Sequence, residues 1–184
     1  MPILGLLASA ISGNLFALSG AYDSIATTTL ATATSSITFS SIPATYTHLQ
    51  IRGFARHNTT SDNTVIQLNG DTGSNYSLHY LVGTGGGSFT AGAEASAART
   101  YIDILTTSAT SFSGSVTDIL DYANTSKYKT MKTLAGIELN GSGSIWFATG
   151  LWMNTAAVTS IVVKPGTGNF SANTQFALYG IKGA

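Results

Sequence analysis

The sequence contains no cysteine, so neither a disulfide framework nor a thiolate metal site can be built from it. Charge is also scarce, because eight Lys and Arg and eight Asp and Glu make up only 9% of 184 residues. An average soluble domain carries about 25%. No basic stripe is present, which argues against nucleic-acid binding. Zero net charge disfavours colloidal solubility and so favours a subunit docked on neighbouring proteins over a free, abundant enzyme.

Good helix formers such as Glu, Lys, Gln and Arg are rare, and polarity comes instead from 27 Thr and 22 Ser. Thr together with Val, Ile, Tyr, Phe and Trp is typical of strands, while 20 Gly and many Asn and Ser supply turns. The length fits one domain, or one domain with an arm, and is sufficient to bury a core.

From Tyr22 onward the chain alternates short strand-like segments with turn signals. The predicted strands are Ser24–Leu30, Ser36–Phe39, His48–Arg56, Thr64–Asn69, Tyr76–Val82, Thr100–Leu105, Ser115–Tyr122, Thr130–Leu139, Ser144–Trp152, Thr159–Val163 and Gln175–Lys182. No long helical pattern separates them, which argues against parallel βαβ folds. We therefore expect residues 21–184 to form an all-β domain, an antiparallel, jelly-roll-like β-sandwich.

Two glycine-rich segments predict how strands connect. Leu139–Ser144, with the sequence LNGSGS, predicts the tight connection of a central hairpin. The side chains expected near the core on either side of it are Ile137, Leu139, Ile145 and Phe147. Gly83–Gly87, with the sequence GTGGG, predicts a flexible loop.

Residues 1–20 differ from the rest, because Met1 to Leu18 carries no charge and is strongly apolar. A secretory signal would need a positive n-region, and a membrane span would be longer and uninterrupted, so we predict no membrane span. A segment folded onto its own domain remains an alternative. We predict a docking arm that contacts a partner through Ile3, Leu6, Leu7, Ile11, Leu15 and Phe16.

Residues that could carry chemistry do not form a recognisable set. The histidines His48, His57 and His79 do not lie at metal-ligand spacing. Asn69–Asn75 places oxygen ligands at alternate positions but has one carboxylate, which favours a polar hairpin loop over a calcium site. Carboxylates cannot be paired across strands from sequence, so a glycan hydrolase remains an alternative. We predict a non-enzyme with no catalytic residue, cofactor or bound metal.

Amphipathic aromatic side chains are a further signal, because they anchor protein interfaces and sugar-binding platforms. Trp146 and Trp152 flank a strongly apolar strand, which favours core positions for both. An exposed platform would instead indicate a free carbohydrate-binding β-sandwich module, and this is the alternative function.

Several segments together resemble a family of small virion proteins encoded by tailed bacteriophages. They are ILGLLASAISGNL, GAYDSIATTTL, SITFSSIPATYTHLQIRG, LNGDTGSNYSLHYL, DILDYANTSKYKTM, GSIWFATGLWMNTAAVTSIVV and FALYGIKG. The resemblance covers nearly the whole chain, and its motifs are strand and turn signatures with no catalytic residue among them. It implies a structural protein of the virion, either a capsid decoration protein or a tail fibre or baseplate adhesin. The partners it implies are other virion proteins and symmetry-related copies, with a host surface glycan as a further candidate.

Overall fold

The computed structural model describes residues 21–58, 62–105 and 111–183. The predicted docking arm, with its six apolar residues, lies outside the described residues. The described part is built from antiparallel strands arranged in two sheets, and it contains no helix. The prediction of an all-β antiparallel sandwich is therefore confirmed.

Twelve strands are described, and each pairs antiparallel with its neighbours. They are β1 (Tyr22–Thr29), β2 (Ile37–Phe39), β3 (His48–Ala55), β4 (Asp62–Leu68), β5 (Tyr76–Thr84), β6 (Phe89–Ala97), β7 (Thr100–Leu105), β8 (Ser113–Leu120), β9 (Lys129–Glu138), β10 (Gly143–Trp152), β11 (Ile161–Pro165) and β12 (Gln175–Ile181). The large sheet has the order β1-β12-β3-β8-β9-β10-β5-β6, and the small sheet has the order β2-β11-β4-β7.

Eleven of these strands correspond to predicted segments, and β6 is the one that the sequence did not indicate. Its sequence, FTAGAEASA, is dominated by alanine and glycine, which have weak strand preference. β6 pairs with β5 and forms an edge of the large sheet. Gly83 and Thr84 therefore belong to β5 and not to a loop, and the tight β5–β6 connection that follows is closed by a hydrogen bond from Gly87 N to Thr84 O.

The main core lies between the two sheets, where the large sheet contributes Ile51, Ile119 and Trp152 and the small sheet contributes Ile66 and Ile161. All five side chains are at most 1% exposed. Each buried aliphatic or aromatic side chain of this size contributes about 1.5–3 kcal/mol. Burial of these two inner faces is therefore what holds the sheets together.

The inner face of the large sheet also contains polar residues that satisfy each other. Thr117 of β8 and Thr133 of β9 are directly opposite in the register, both are buried, and their hydroxyl oxygens lie 2.9 Å apart in a hydrogen bond. A buried hydroxyl without a partner would destabilise the fold by about 1–3 kcal/mol. The abundance of threonine is therefore compatible with a closed core.

The β9–β10 hairpin lies where the sequence predicts it. Leu139 N donates to Ser142 O at 3.0 Å, and Gly143 adopts a φ of +116°. A Cβ atom at Gly143 would lie 2.1 Å from the carbonyl oxygen of Ile137, so glycine is required there.

The expected orientation of β10 is wrong. Ile137 is buried and Leu139 half-buried, but Ile145 and Phe147 are 66% and 49% exposed. Trp146, Ala148 and Trp152 face the core instead, which confirms core positions for both tryptophans. Successive strand residues point to opposite faces, so a one-residue error in phase reverses every side chain. Two large hydrophobic residues are thereby placed on the outside of the large sheet.

Candidate functional site: the outer face of the large sheet

The side of the large sheet that faces away from the core is apolar over its middle strands. We call this surface the outer apolar face, and it consists of Phe54, Leu81, Phe89, Val116, Leu134, Ile145 and Phe147. Their exposure ranges from 39% for Val116 to 80% for Phe89. Single exposed hydrophobic residues are ordinary on protein surfaces, but a contiguous set is not.

Strand register shows that these residues are contiguous. Val116, Leu134, Phe147 and Leu81 lie side by side on β8, β9, β10 and β5. The next outward row along the strands consists of Phe54, Gly114, Gly136, Ile145, Gly83 and Phe89. The two rows therefore form one patch across six neighbouring strands.

Glycines shape a groove in this patch. Gly114 and Gly136 oppose each other on β8 and β9, so two adjacent outward positions have no side chain. The groove has a volume of about 590 Å³ and is bordered by Val116, Leu134 and Ile145. A Cβ atom added at Gly114 would meet nothing within 4 Å. The floor of the groove is thus open main chain between hydrophobic walls.

Aromatic rings mark both ends of the glycine-containing row. Phe54 stacks on Phe112 with ring centroids 4.7 Å apart and an interplanar angle of 9°. At the other end, the ring of Phe89 lies against Gly83. With side chains of roughly 150–250 Å² for aromatic residues, the exposed fractions amount to about 700 Å² of apolar area. The largest patch on a typical monomer is about 300–600 Å².

Charge is confined to the border of the face. The residues that line the groove include no Asp, Glu, Lys or Arg. On the β3 side, the guanidinium of Arg52 lies over the rings of Tyr22 and Tyr179, 5.5 and 5.1 Å from their centroids. The Arg52 Nε donates to Gln50 at 2.8 Å. An apolar centre with an organised polar border is the usual anatomy of a protein–protein interface.

The three histidines are not brought together. His48 Nδ1 accepts a hydrogen bond from the main-chain N–H of Asp121 at 2.9 Å. His57 is buried with Nε2 3.3 Å from the Thr64 hydroxyl, whereas His79 is exposed on β5. Within the described ranges, no group of three His, Cys, Asp or Glu residues could hold a metal ion.

The predicted polar loop at Asn69–Asn75 is organised around Asp71. Its carboxylate accepts from Trp152 Nε1 at 2.7 Å, from the Asn75 amide, and from Gly73 N in an Asx turn. The Trp152 hydrogen bond is the main reason that the pKa of Asp71 lies below its usual value. The one carboxylate of this loop therefore orients a core tryptophan, as expected for a structural hairpin loop.

The carboxylates of Glu94 and Asp121 contact non-acidic groups. Glu94 accepts from the Tyr101 hydroxyl at 2.9 Å. Lys127 donates to Asp121 at 2.5 Å, and this bond is the main cause that lowers the pKa of the Asp121 carboxyl. These contacts tie loops and strands together.

Sequence reasoning missed the outer apolar face because both faces of β10 are apolar. In the segment IWFA, Ile145 and Phe147 alternate with Trp146 and Ala148, so periodicity gives no direction. A usable signal was the run of three consecutive large hydrophobic residues, Ile145, Trp146 and Phe147, which predicts a strand covered on both sides.

Known proteins provide no assignment. No family model matches the chain, and no curated protein matches it. Among solved structures, a candidate pore-forming toxin from Bacteroides vulgatus is 9% identical over 77% of this chain, with a TM-score of 0.16. The chain spans 59% of the length of that protein. Similarity at this level supports no statement about fold or function.

In the described ranges, no helix is both long and apolar enough to cross a membrane.

Proposed function

We propose that this protein is a non-enzymatic structural protein of a bacteriophage virion, docked on the capsid or tail and assembled with symmetry-related copies. The observation that carries the proposal is the outer apolar face. Its exposed apolar area of about 700 Å² is close to the roughly 800 Å² that each partner buries in a stable interface. A surface of this kind favours a protein that functions in contact with other subunits.

Composition supports the same function. A net charge of zero provides no long-range repulsion between copies, so an uncovered apolar face would promote association. Symmetric assemblies use such association productively, because each copy presents the same patch. The resemblance of the sequence to small tailed-phage virion proteins supports a bacteriophage virion as that assembly.

Two locations in the virion fit the proposal. A decoration protein would clamp neighbouring capsid subunits, and a tail fibre or baseplate adhesin would hold exposed loops towards a host surface glycan. Copy number distinguishes them, since decoration requires a number similar to that of the capsid subunits and a tail component requires far fewer.

The test is to purify particles from a host that produces this protein and to quantify the protein against the major capsid subunit by mass spectrometry. Immunogold labelling in electron micrographs then gives its location. We expect stoichiometric incorporation at one defined site. A protein that is absent from particles, remains monomeric in solution and binds glycans on an array would overturn the proposal and support the carbohydrate-binding module.

A further inference from the structure

Two parts of this chain combine apolar character with a lack of charge. The groove in the outer apolar face is lined without charged residues, and residues 1–20 carry no charge. We propose that the groove receives the N-terminal arm of a second copy of this chain. This inference rests on the proposed function, for which it names the partner of the outer apolar face.

The groove has the size and chemistry for aliphatic side chains. A cavity of about 150 Å³ accommodates a benzene-sized group, and the groove measures about 590 Å³. Ile3, Leu7 and Ile11 recur at the spacing of one helix face and would present a continuous apolar ridge. The bare main chain at Gly114 and Gly136 allows that ridge to approach the sheet closely.

The position of Ala21, where the described chain begins, limits what an arm can reach on its own subunit. β1 lies at one edge of the large sheet, with β12, β3 and β8 between it and β9. Through the register of the intervening strands, Gly136 lies in the same cross-strand row as Thr29 of β1. Thr29 is seven residues after Tyr22. With strands about 4.8 Å apart and a rise of about 3.3 Å per residue, the groove lies about 30 Å from the start of β1.

An arm that folded back on its own subunit would use about nine extended residues to cross that distance. Leu15 and Phe16 would then lie within that extended segment, where successive side chains point to opposite sides, so one of the two would face solvent instead of the sheet. The arm of a second copy has no such requirement, because its β1 can start beside the groove. Burial of all six apolar arm residues therefore favours the second copy.

The absence of cysteine permits a direct test in the full-length protein. Leu7→Cys marks the arm and Gly114→Cys marks the groove, where the added side chain meets open space. Thr38→Cys, at an exposed position of β2 in the small sheet, is the matched control. Purified single-cysteine proteins are mixed in pairs under mild oxidation, and disulfide-linked peptides are quantified by mass spectrometry.

We expect the arm–groove disulfide between Leu7→Cys and Gly114→Cys chains to exceed the arm–control disulfide about tenfold or more, because docking raises the local thiol concentration. Equal yields would overturn the inference. A Leu7→Cys/Gly114→Cys double variant that cross-links only within one chain would show an arm on its own subunit. Predominant Gly114→Cys homodimers would show two outer faces in contact. The intrachain cross-link and the Gly114→Cys homodimer would each also overturn the inference. Incorporation of the wild-type protein into particles is measured separately, so the inference can fail while the proposed function stands.

Discussion

At the scale of single residues, Lys129 shows how the sandwich holds its connections. It is fully buried at the start of β9, and its ammonium donates to the main-chain carbonyls of Asn124, Lys127 and Thr155. A buried ammonium is tolerated only when its protons are bonded, and here three carbonyls accept them. Lys129 therefore connects the β8–β9 and β10–β11 loops through one side chain.

Replacing Lys129 with Met should destabilise the fold by about 2–4 kcal/mol, because the three carbonyls lose a charged donor while the volume is kept. Urea unfolding monitored by circular dichroism measures the change. Lys132→Met, at an exposed position of the same strand, is the matched control and should shift stability by less than about 0.5 kcal/mol. Equal effects of the two substitutions would show that the carbonyl contacts contribute nothing.

Tyr76 predicts an alkaline limit to stability. Its hydroxyl accepts from Leu68 N at 2.9 Å, and burial is the main cause that raises the pKa of Tyr76 to about 12. In the unfolded chain the phenol ionises near 10.0, so between these values the folded state binds more protons. Stability therefore falls as the pH rises through this window, by up to about 2–3 kcal/mol.

Urea unfolding from neutral pH to about pH 11 checks this expectation. Tyr76→Phe should lower stability at neutral pH, because Leu68 N–H loses its acceptor, and should weaken the alkaline loss. Tyr128→Phe, at a position that is 51% exposed, should change neither. A wild-type stability that stays constant above pH 10 would contradict the assignment.

At the scale of elements, most strands were predictable because their residues combine strand preference with clear turn signals. β6 was not predictable, because alanine and glycine form a strand there only by pairing with β5. The orientation of β10 was not predictable either, since both of its faces are apolar. The contact of Lys129 with the Thr155 carbonyl joins residues 26 positions apart, which single-segment patterns do not report.

Sheet order predicts a gradient of local stability. β9 and β10 have neighbours on both sides, whereas β6 pairs only with β5. We expect hydrogen–deuterium exchange to be slowest in β9 and β10, with opening free energies close to the global free energy of unfolding, and fast for the β6 amides that face away from β5. Fast exchange throughout both strands of the Leu139–Ser144 hairpin would show that the pairing is wrong.

At the scale of the whole molecule, the sandwich has a closed core and an apolar exterior. The two sheets bury their inner faces against each other, and the outer apolar face remains uncovered in a single copy. The sandwich should therefore fold without a partner, while the arm and the outer face should be needed for assembly.

Deletion of residues 2–18 tests whether the sandwich folds without the arm and whether the arm is needed for assembly. The arm is expected to contact a second chain, so the shortened protein should retain a cooperative thermal unfolding transition but fail to join particles. Calorimetry and quantitative mass spectrometry of purified virions measure the two properties. A truncated protein that does not fold would place the arm in the core of its own domain, and normal occupancy in particles would exclude an anchoring role.

A separate prediction concerns the role of the outer apolar face in assembly. Ile145 and Phe147 are 66% and 49% exposed, so replacing both with lysine removes little buried area and should change stability by about 1 kcal/mol or less. Two charges in the centre of an interface would remain unpaired when it closes, and each would weaken docking by about 2–5 kcal/mol. We therefore expect the Ile145→Lys/Phe147→Lys protein to be folded, more soluble and absent from particles.

Thr38→Lys, at an exposed position on the small sheet, is the control and should be incorporated normally. Sedimentation velocity and particle composition provide the readouts. A double variant that enters virions at wild-type occupancy would show that this face is not where the protein is held.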